Sequence, residues 1–149
     1  MKDIQKSNQF PSASKDKQGR LLAAAAIGVG SDMEDRVKSL IKSGLDILFI
    51  DTAHAHSKKV IDALKLIKKK YKAIQVVVGN IATSDAAKEL IKAGADSLKV
   101  GIGPGSICTT RIIAGIGVPQ LTAILDVCSI AKKSNIPVIA DGGIKYSGD

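Results

Sequence analysis

Cys108 lies in the stretch GIGPGSICTTR, Gly101 to Arg111, with Ser106 before it and Thr109, Thr110 and Arg111 after it. Hydroxyls, a guanidinium and the amides of a glycine-rich loop all favour the thiolate, the nucleophilic form of cysteine. The glycines allow backbone groups to approach a ligand closely. The ordinary fate of a free cysteine is burial as a small apolar side chain. That suits Cys128, which follows Leu121, Ile124 and Leu125 on one helical face. The loop around Cys108 offers little apolar cover, so Cys108 is expected to be a nucleophile.

Two aspartates extend the chemistry. Asp141 opens the stretch DGG, Asp141–Gly143, at the end of an apolar run. Its carboxylate can accept from sugar hydroxyls while the bare amides of Gly142 and Gly143 meet a phosphate. Asp51 ends another apolar run and can accept from a ribose in the same way. The glycine pattern GIGPGS is not a P-loop, because no Lys-Ser/Thr follows, and not GxGxxG, because Ser106 stands where the third glycine would be. It suits either an anion held by amides or a cation held by carbonyls. His54 and His56 are two apart rather than four, and no HExxH occurs, so they read as polar loop residues, not metal ligands.

The elements that position these residues alternate along the chain. Residues 1–20 are polar, without sustained periodicity, and read as an extended lead-in or linker. Residues 21–149 read as the folded domain. Leu22–Ile27, Leu45–Ile50, Ile74–Val78, Ser97–Val100 and Val138–Ala140 are runs of strand length. Met33, Val37, Leu40 and Ile41 recur at helical spacing, as do Val60, Ile61, Leu64 and Ile67, and Ala86, Ala87, Leu90 and Ile91. Ser31 with Glu34 fits a capping box, and Gly44 and Gly94 stand where helices should stop. LIKSGLD (Leu40–Asp46) echoes LIKAGAD (Leu90–Asp96). Repeated βα units with strands buried on both faces imply a parallel sheet. About five strands are too few for a closed barrel, so the fold is a small open sheet or a piece of a barrel. The links leaving the strands are long and polar: DTAHAHS, GNIATS, GIGPGSICTTR and DGGIKYSGD. A ligand site is therefore expected at the carboxyl ends of the strands.

Composition bounds the partners. The chain has 149 residues, and 45% of them are hydrophobic, enough for one core; aromatics are 3%, which suits aliphatic strands under Ala- and Leu-containing helices. No apolar run reaches the roughly 18 residues of a membrane span, and the first ten residues lack a signal-peptide core. Two cysteines in unlike surroundings are no disulfide framework, so a reduced, cytoplasmic protein is expected. The net charge is +8, which reads as a solvated lysine face on the helix around Lys58–Lys70. No nucleic-acid partner is required, since the basic residues have no aromatic ones among them.

Taken together, GIGPGSICTTRIIAGIGVPQ, DTAHAHS, GNIAT and VIADGGIKYSGD closely resemble the bacterial type of inosine-5′-monophosphate (IMP) dehydrogenase, from about Asp3 to Asp149. The cysteine loop is shared with GMP reductase, an NADPH-dependent relative and the second reading. RIIAGIGVPQ and the Ile144 after DGG favour the dehydrogenase. The resemblance implies a parallel α/β fold, a (β/α)₈ TIM barrel, of which this chain holds an incomplete segment of about five strands, the third to the seventh. It implies NAD-dependent oxidation of IMP to xanthosine monophosphate (XMP) in guanine nucleotide biosynthesis, through a covalent thioimidate on Cys108. Thr110 would help activate water. Ser106 would bind the phosphate, Asp141 the substrate ribose, and Gly142 and Gly143 would lie near the phosphate. Asp51 would bind the cofactor ribose, with Gly101, Ile102 and Gly103 along the nicotinamide end. Backbone carbonyls of Gly103, Gly105 and Cys108 would hold potassium. The family implies a homotetramer. Its remaining strands, its arginine flap and further potassium ligands, partly from a neighbouring subunit, would lie outside these residues. The isolated segment is therefore not expected to be an independently stable, active enzyme, and a non-catalytic nucleotide-binding half-barrel is a third reading. Ala55 stands where the family usually has glycine, which would cost about 1 kcal/mol if the position needs a positive φ.

Overall fold

The computed structural model describes residues 2–149. Helix α1 (Lys2–Gln9) is followed by β1 (Ala24–Ile27), α2 (Met33–Lys42), β2 (Ile47–Asp51), α3 (Lys58–Lys70), β3 (Gln75–Ile81) and α4 (Ser84–Ala93). Then come β4 (Ser97–Val100), α5 (Thr110–Ala114), α6 (Gln120–Ala131), a 3₁₀ turn at Lys132–Ser134 and β5 (Val138–Ala140). The five expected strands and the three expected helices are all present; β4 and β5 keep the expected bounds, and the ends of the other three strands shift by at most three residues. The lead-in is not wholly extended, because it carries α1 and a bridge between Lys15 and Leu21.

The sheet is parallel throughout, in the order β1-β2-β3-β4-β5. Sequential order with helical crossovers of one hand places successive helices on one face. Strand residues alternate accordingly. Leu48, Ile50, Val76, Val78, Leu98 and Val100 are 0% exposed and form the core with Val60 and Leu64 of α3 and Leu90 of α4. The other face is buried at Val77 and Ser97, half-buried at Ile47, Phe49 and Lys99 and open at Ile139. The expectation of strands buried on both faces therefore holds throughout on the helix side, and on the second face only at the middle of the sheet, at Val77, Gly79 and Ser97.

The internal echo has a physical meaning. Asp46 and Asp96 each make a reciprocal pair with a neighbouring segment. The Asp46 N–H donates to the Ala23 carbonyl at 3.1 Å, and its carboxylate accepts from the Ala23 N–H at 2.8 Å. Asp96 does the same with Val76, at 3.0 and 2.8 Å. Each LIK-x-G-x-D unit thus ends a helix and clamps the next strand to its neighbour. Gly94 caps α4 at φ +105° and Gly44 follows the α2 cap at φ +86°, as the spacing predicts.

Three local expectations are corrected. The Ser31–Glu34 capping box does not form: the α2 cap is Asp32, itself in helical conformation without a side-chain cap bond, and the Glu34 carboxylate pairs with Lys70 instead. On α6 the buried face is Gln120, Ala123, Val127 and Ala131. Leu121 and Leu125 are exposed and Cys128 is half-buried, so Cys128 is not a core residue. Ala55 is fully buried and is not among the positive-φ residues, so alanine carries no backbone strain there.

Candidate active site

The polar links converge at the carboxyl ends of the strands, as expected. A cleft of about 390 Å³ is lined there by Asp51, Thr52, Ala53, Asn80, Lys99, Gly101, Ile102, Gly103, Cys108, Thr110 and Asp141. It brings together seven of the residues singled out in the sequence: Asp51, Gly101, Ile102, Gly103, Cys108, Thr110 and Asp141. Ser106, Gly105, Gly142 and Gly143 stand outside the lining. They are nevertheless neighbours of it. A Cβ on Gly142 would lie 3.5 Å from the Gly105 Cα, and one on Gly143 would lie 2.9 Å from the Pro104 Cβ. The DGG turn thus underlies the cysteine loop, with Ser106 exposed beside it.

Cys108 stands two residues before α5. Its N–H donates to the Gly105 carbonyl at 3.1 Å, which closes a tight turn. The thiol is held below its ordinary pKa. The Thr110 hydroxyl is the main cause, followed by the Thr110 N–H; the Gly103 N–H adds to them, and Arg111 contributes least. The sequence weighted guanidinium, hydroxyls and amides together; of these the threonine hydroxyl acts most strongly on the thiol.

Lys99 organises the carboxylates. Its Nζ lies 3.0 Å from Asp51 Oδ1 and 2.8 Å from Asp141 Oδ2, with its side chain 15% exposed. Burial by itself would depress the ammonium; the hydrogen bonds to Asp141 and Asp51 outweigh it and hold the lysine above its usual value. Asn80 donates from Nδ2 to Asp141 Oδ2 at 3.0 Å and to the Gly101 carbonyl at 2.7 Å. Lys99 first, then Asn80, hold the Asp141 carboxyl below the usual carboxylate range. Behind them, Gln120 ties the ends of β4 and β5 through the Val100 and Asp141 carbonyls.

Asn80, Lys99 and Gln120 were not singled out in the sequence. A signal existed for Lys99: a lysine inside the strand SLKV of a sheet expected to be buried must have a partner for its charge. Asn80 lay within GNIATS without being separated from it. Gln120 opens a helix, and nothing in its neighbours marks it.

The family model for the IMP dehydrogenase / GMP reductase domain matches residues 1–149. The chain belongs to the IMP dehydrogenase / GMP reductase family. It is 59% identical over 148 residues to the inosine-5′-monophosphate dehydrogenase of Chlorobaculum tepidum, covering 99% of this chain and 30% of that protein. It is 55% identical over 149 residues to that of Halalkalibacterium halodurans, covering 100% of this chain and 31% of that protein. A crystal structure of a cysteine-to-alanine variant of Trypanosoma brucei GMP reductase with guanosine 5′-monophosphate superposes with a TM-score of 0.90 at 45% identity, covering 99% of this chain and 31% of that one. The chain thus spans about three-tenths of the length of these family members. The resemblance to bacterial IMP dehydrogenases holds over the whole chain, and the five-stranded parallel sheet is a segment of the family's (β/α)₈ barrel. No helix among the described residues is long and apolar enough to cross a membrane.

Proposed function

We propose that these residues form the substrate-facing part of an IMP dehydrogenase, in which the Cys108 thiolate attacks C2 of the hypoxanthine ring of IMP. The observation that carries this is the meeting, in one cleft, of a thiol lowered by Thr110 with two carboxylates bridged by Lys99. Attack forms a C–S bond and leaves a tetrahedral carbon. Loss of hydride from C2 leaves a thioimidate on Cys108, and water then adds to C2 and releases XMP and the thiol. Thr110, whose hydroxyl lowers the thiol pKa, would hold that water.

The residues present fit a dinucleotide cofactor and a monovalent cation in kind. Asp51 keeps one carboxylate oxygen unpaired among the described residues, available to a ribose hydroxyl, and Gly101, Ile102 and Gly103 line the cleft beside Cys108. NAD, when bound, accepts the hydride. The carbonyls of Gly103 and Cys108 have no backbone partner among the described residues, and that of Gly105 accepts only the Cys108 N–H. Neutral carbonyls in one short loop suit potassium, which would fix the loop's shape. Ser106, Gly142 and Gly143 would take the phosphate and Asp141 the substrate ribose. We infer a cytoplasmic protein, and a homotetramer when the barrel is complete. The 149 residues by themselves leave one sheet face and both edge strands open, and we infer that they turn over no IMP alone.

A second reading, GMP reduction with NADPH, is favoured by the structural match to the trypanosomal reductase. Thiol alkylation with peptide mapping tests the site: Cys108 should react faster than Cys128, with IMP protecting Cys108 alone. Equal reactivity, unchanged by IMP, refutes the assignment. Protection by GMP rather than IMP, with oxidation of NADPH, selects the reductase.

A further inference from the structure

We infer that Lys99 is a positioning residue that fastens Asp51 and Asp141 into one unit, leaving each carboxylate a single free oxygen for a ribose diol. The sheet register builds this unit. Asp51 is paired with Gly79, Gly79 with Lys99, and Lys99 with Ile139, two residues before Asp141. With side chains alternating along each strand, Asp51, Gly79, Lys99 and Asp141 fall on the same face, the one opposite the helices. Gly79 is the strand position between the lysine and Asp51. A Cβ there would stand 2.5 Å from the Lys99 Cβ, so the missing side chain is what lets the lysine stem stand next to β3 and reach Asp51 beyond it.

The bonding is asymmetric in a useful way. Lys99 takes Asp51 Oδ1, and Lys99 and Asn80 together take Asp141 Oδ2. Among the described residues nothing donates to Asp51 Oδ2 or Asp141 Oδ1. Each carboxylate is thus fixed by one oxygen and open at the other. One ammonium also separates two anions that would otherwise repel across the cleft. Without it, Asp141 would keep only Asn80 and would be free to turn its open oxygen away from a sugar. The nature of the ligand rests on the nucleotide reading above; the fastening of the two aspartates does not.

The test uses the polypeptide as the cell makes it, labelled with ¹³C at its aspartate carboxyls, as wild type, Lys99→Met and Lys99→Arg, with Asp141→Asn to assign the signal. Binding of IMP and of its 2′,3′-dideoxy analogue is measured by calorimetry on the same proteins. In Lys99→Met the Asp141 carboxyl should titrate at higher pH than in wild type. The preference for IMP over the dideoxy analogue, about tenfold or more for a charge-assisted hydrogen bond, should fall towards unity, and Lys99→Arg should restore both. If Lys99→Met fails to fold by circular dichroism, Lys99→Gln replaces it. An unmoved Asp141 titration overturns the inference whatever IMP does. So does a moved titration with the diol preference intact, which would make the triad a structural ion pair only. A wild type that binds no IMP, but whose Asp141 moves in Lys99→Met, overturns the nucleotide reading and supports the fastening role.

Discussion

Gln120 and Asp141 are joined through the Gln120 amide, whose Nε2 donates to the Asp141 carbonyl at 3.2 Å and to the Val100 carbonyl at 2.8 Å. Gln120 opens α6 and is buried. Its side chain therefore ties together the last residues of β4, the residue after β5 and the start of α6. A Cβ on Gly101 would collide with the Asp141 carbonyl and stand 3.3 Å from the Gln120 amide. The floor of the cleft is thus a close contact of two strand ends, fastened by one glutamine.

Gln120→Leu should destabilise the protein by about 1–2 kcal/mol, because it strands the Asp141 carbonyl; the Val100 carbonyl keeps the Asp141 N–H at 2.8 Å, and the lost acceptor, Gln120 Oε1, already lacks a protein partner. Urea denaturation reads the change. IMP binding should weaken as well, since Asp141 moves with its backbone. A neutral substitution would show that the sheet register alone holds the strand ends.

Thr110→Val should move the pH dependence of Cys108 alkylation upwards. The thiol is depressed mainly by the threonine hydroxyl, so thiolate is present from a lower pH than in a free cysteine. Removing the hydroxyl raises the thiol pKa, and the rate at a pH of about 7 should fall while the rate well above the thiol pKa stays the same. Arg111→Ala should shift the profile less, because Arg111 contributes least. A larger effect from Arg111 would reverse that order.

Much of the scaffold was legible because the physics behind it is local. Val76, Val78, Leu98 and Val100 read as strand residues, and Gly94 reads as a helix stop from its place after Ile91 and Lys92. Cys108, Thr110 and Asp141 were visible because their loops follow strands. What escaped were contacts set by register. Lys99 meets Asp51 only because Gly79 lies between them, and no pattern within one strand shows that. The α6 face was misjudged because Leu121 and Leu125 are apolar yet exposed, while Gln120 is polar yet buried under strand ends. Periodicity assigns a buried face by hydrophobicity, and here a hydrogen-bonding need overrides it.

The two aspartates of the internal echo should differ in cost. Asp96 accepts from Val76 N–H at 2.8 Å and from Lys68 Nζ at 2.7 Å in a partly buried setting. Asp46 accepts from the Ala23 N–H in an exposed one. Asp96→Ala should cost about 2 kcal/mol and Asp46→Ala about 1 kcal/mol. Lys68→Met should couple with Asp96→Ala in a double-mutant cycle and be additive with Asp46→Ala. Equal costs would mean that the Lys68 ion pair adds nothing.

Gly79→Ala sets a steric requirement against an open control. A methyl at Gly79 would stand 2.5 Å from the Lys99 Cβ and 2.8 Å from the Lys99 carbonyl oxygen. One of these atoms is backbone in the neighbouring strand, so no rotamer change relieves the contact. Adjacent strands must separate, at about 1–3 kcal/mol for an overpacked site. Lys99 would shift with its strand and loosen from Asp51. Gly28→Ala meets nothing within 4 Å and its φ is not positive, so it should be close to neutral. Thermal unfolding of the two variants separates the cases. If Gly79→Ala proves as mild as Gly28→Ala, then β3 and β4 tolerate a wider spacing, and the reach of Lys99 across position 79 does not depend on glycine.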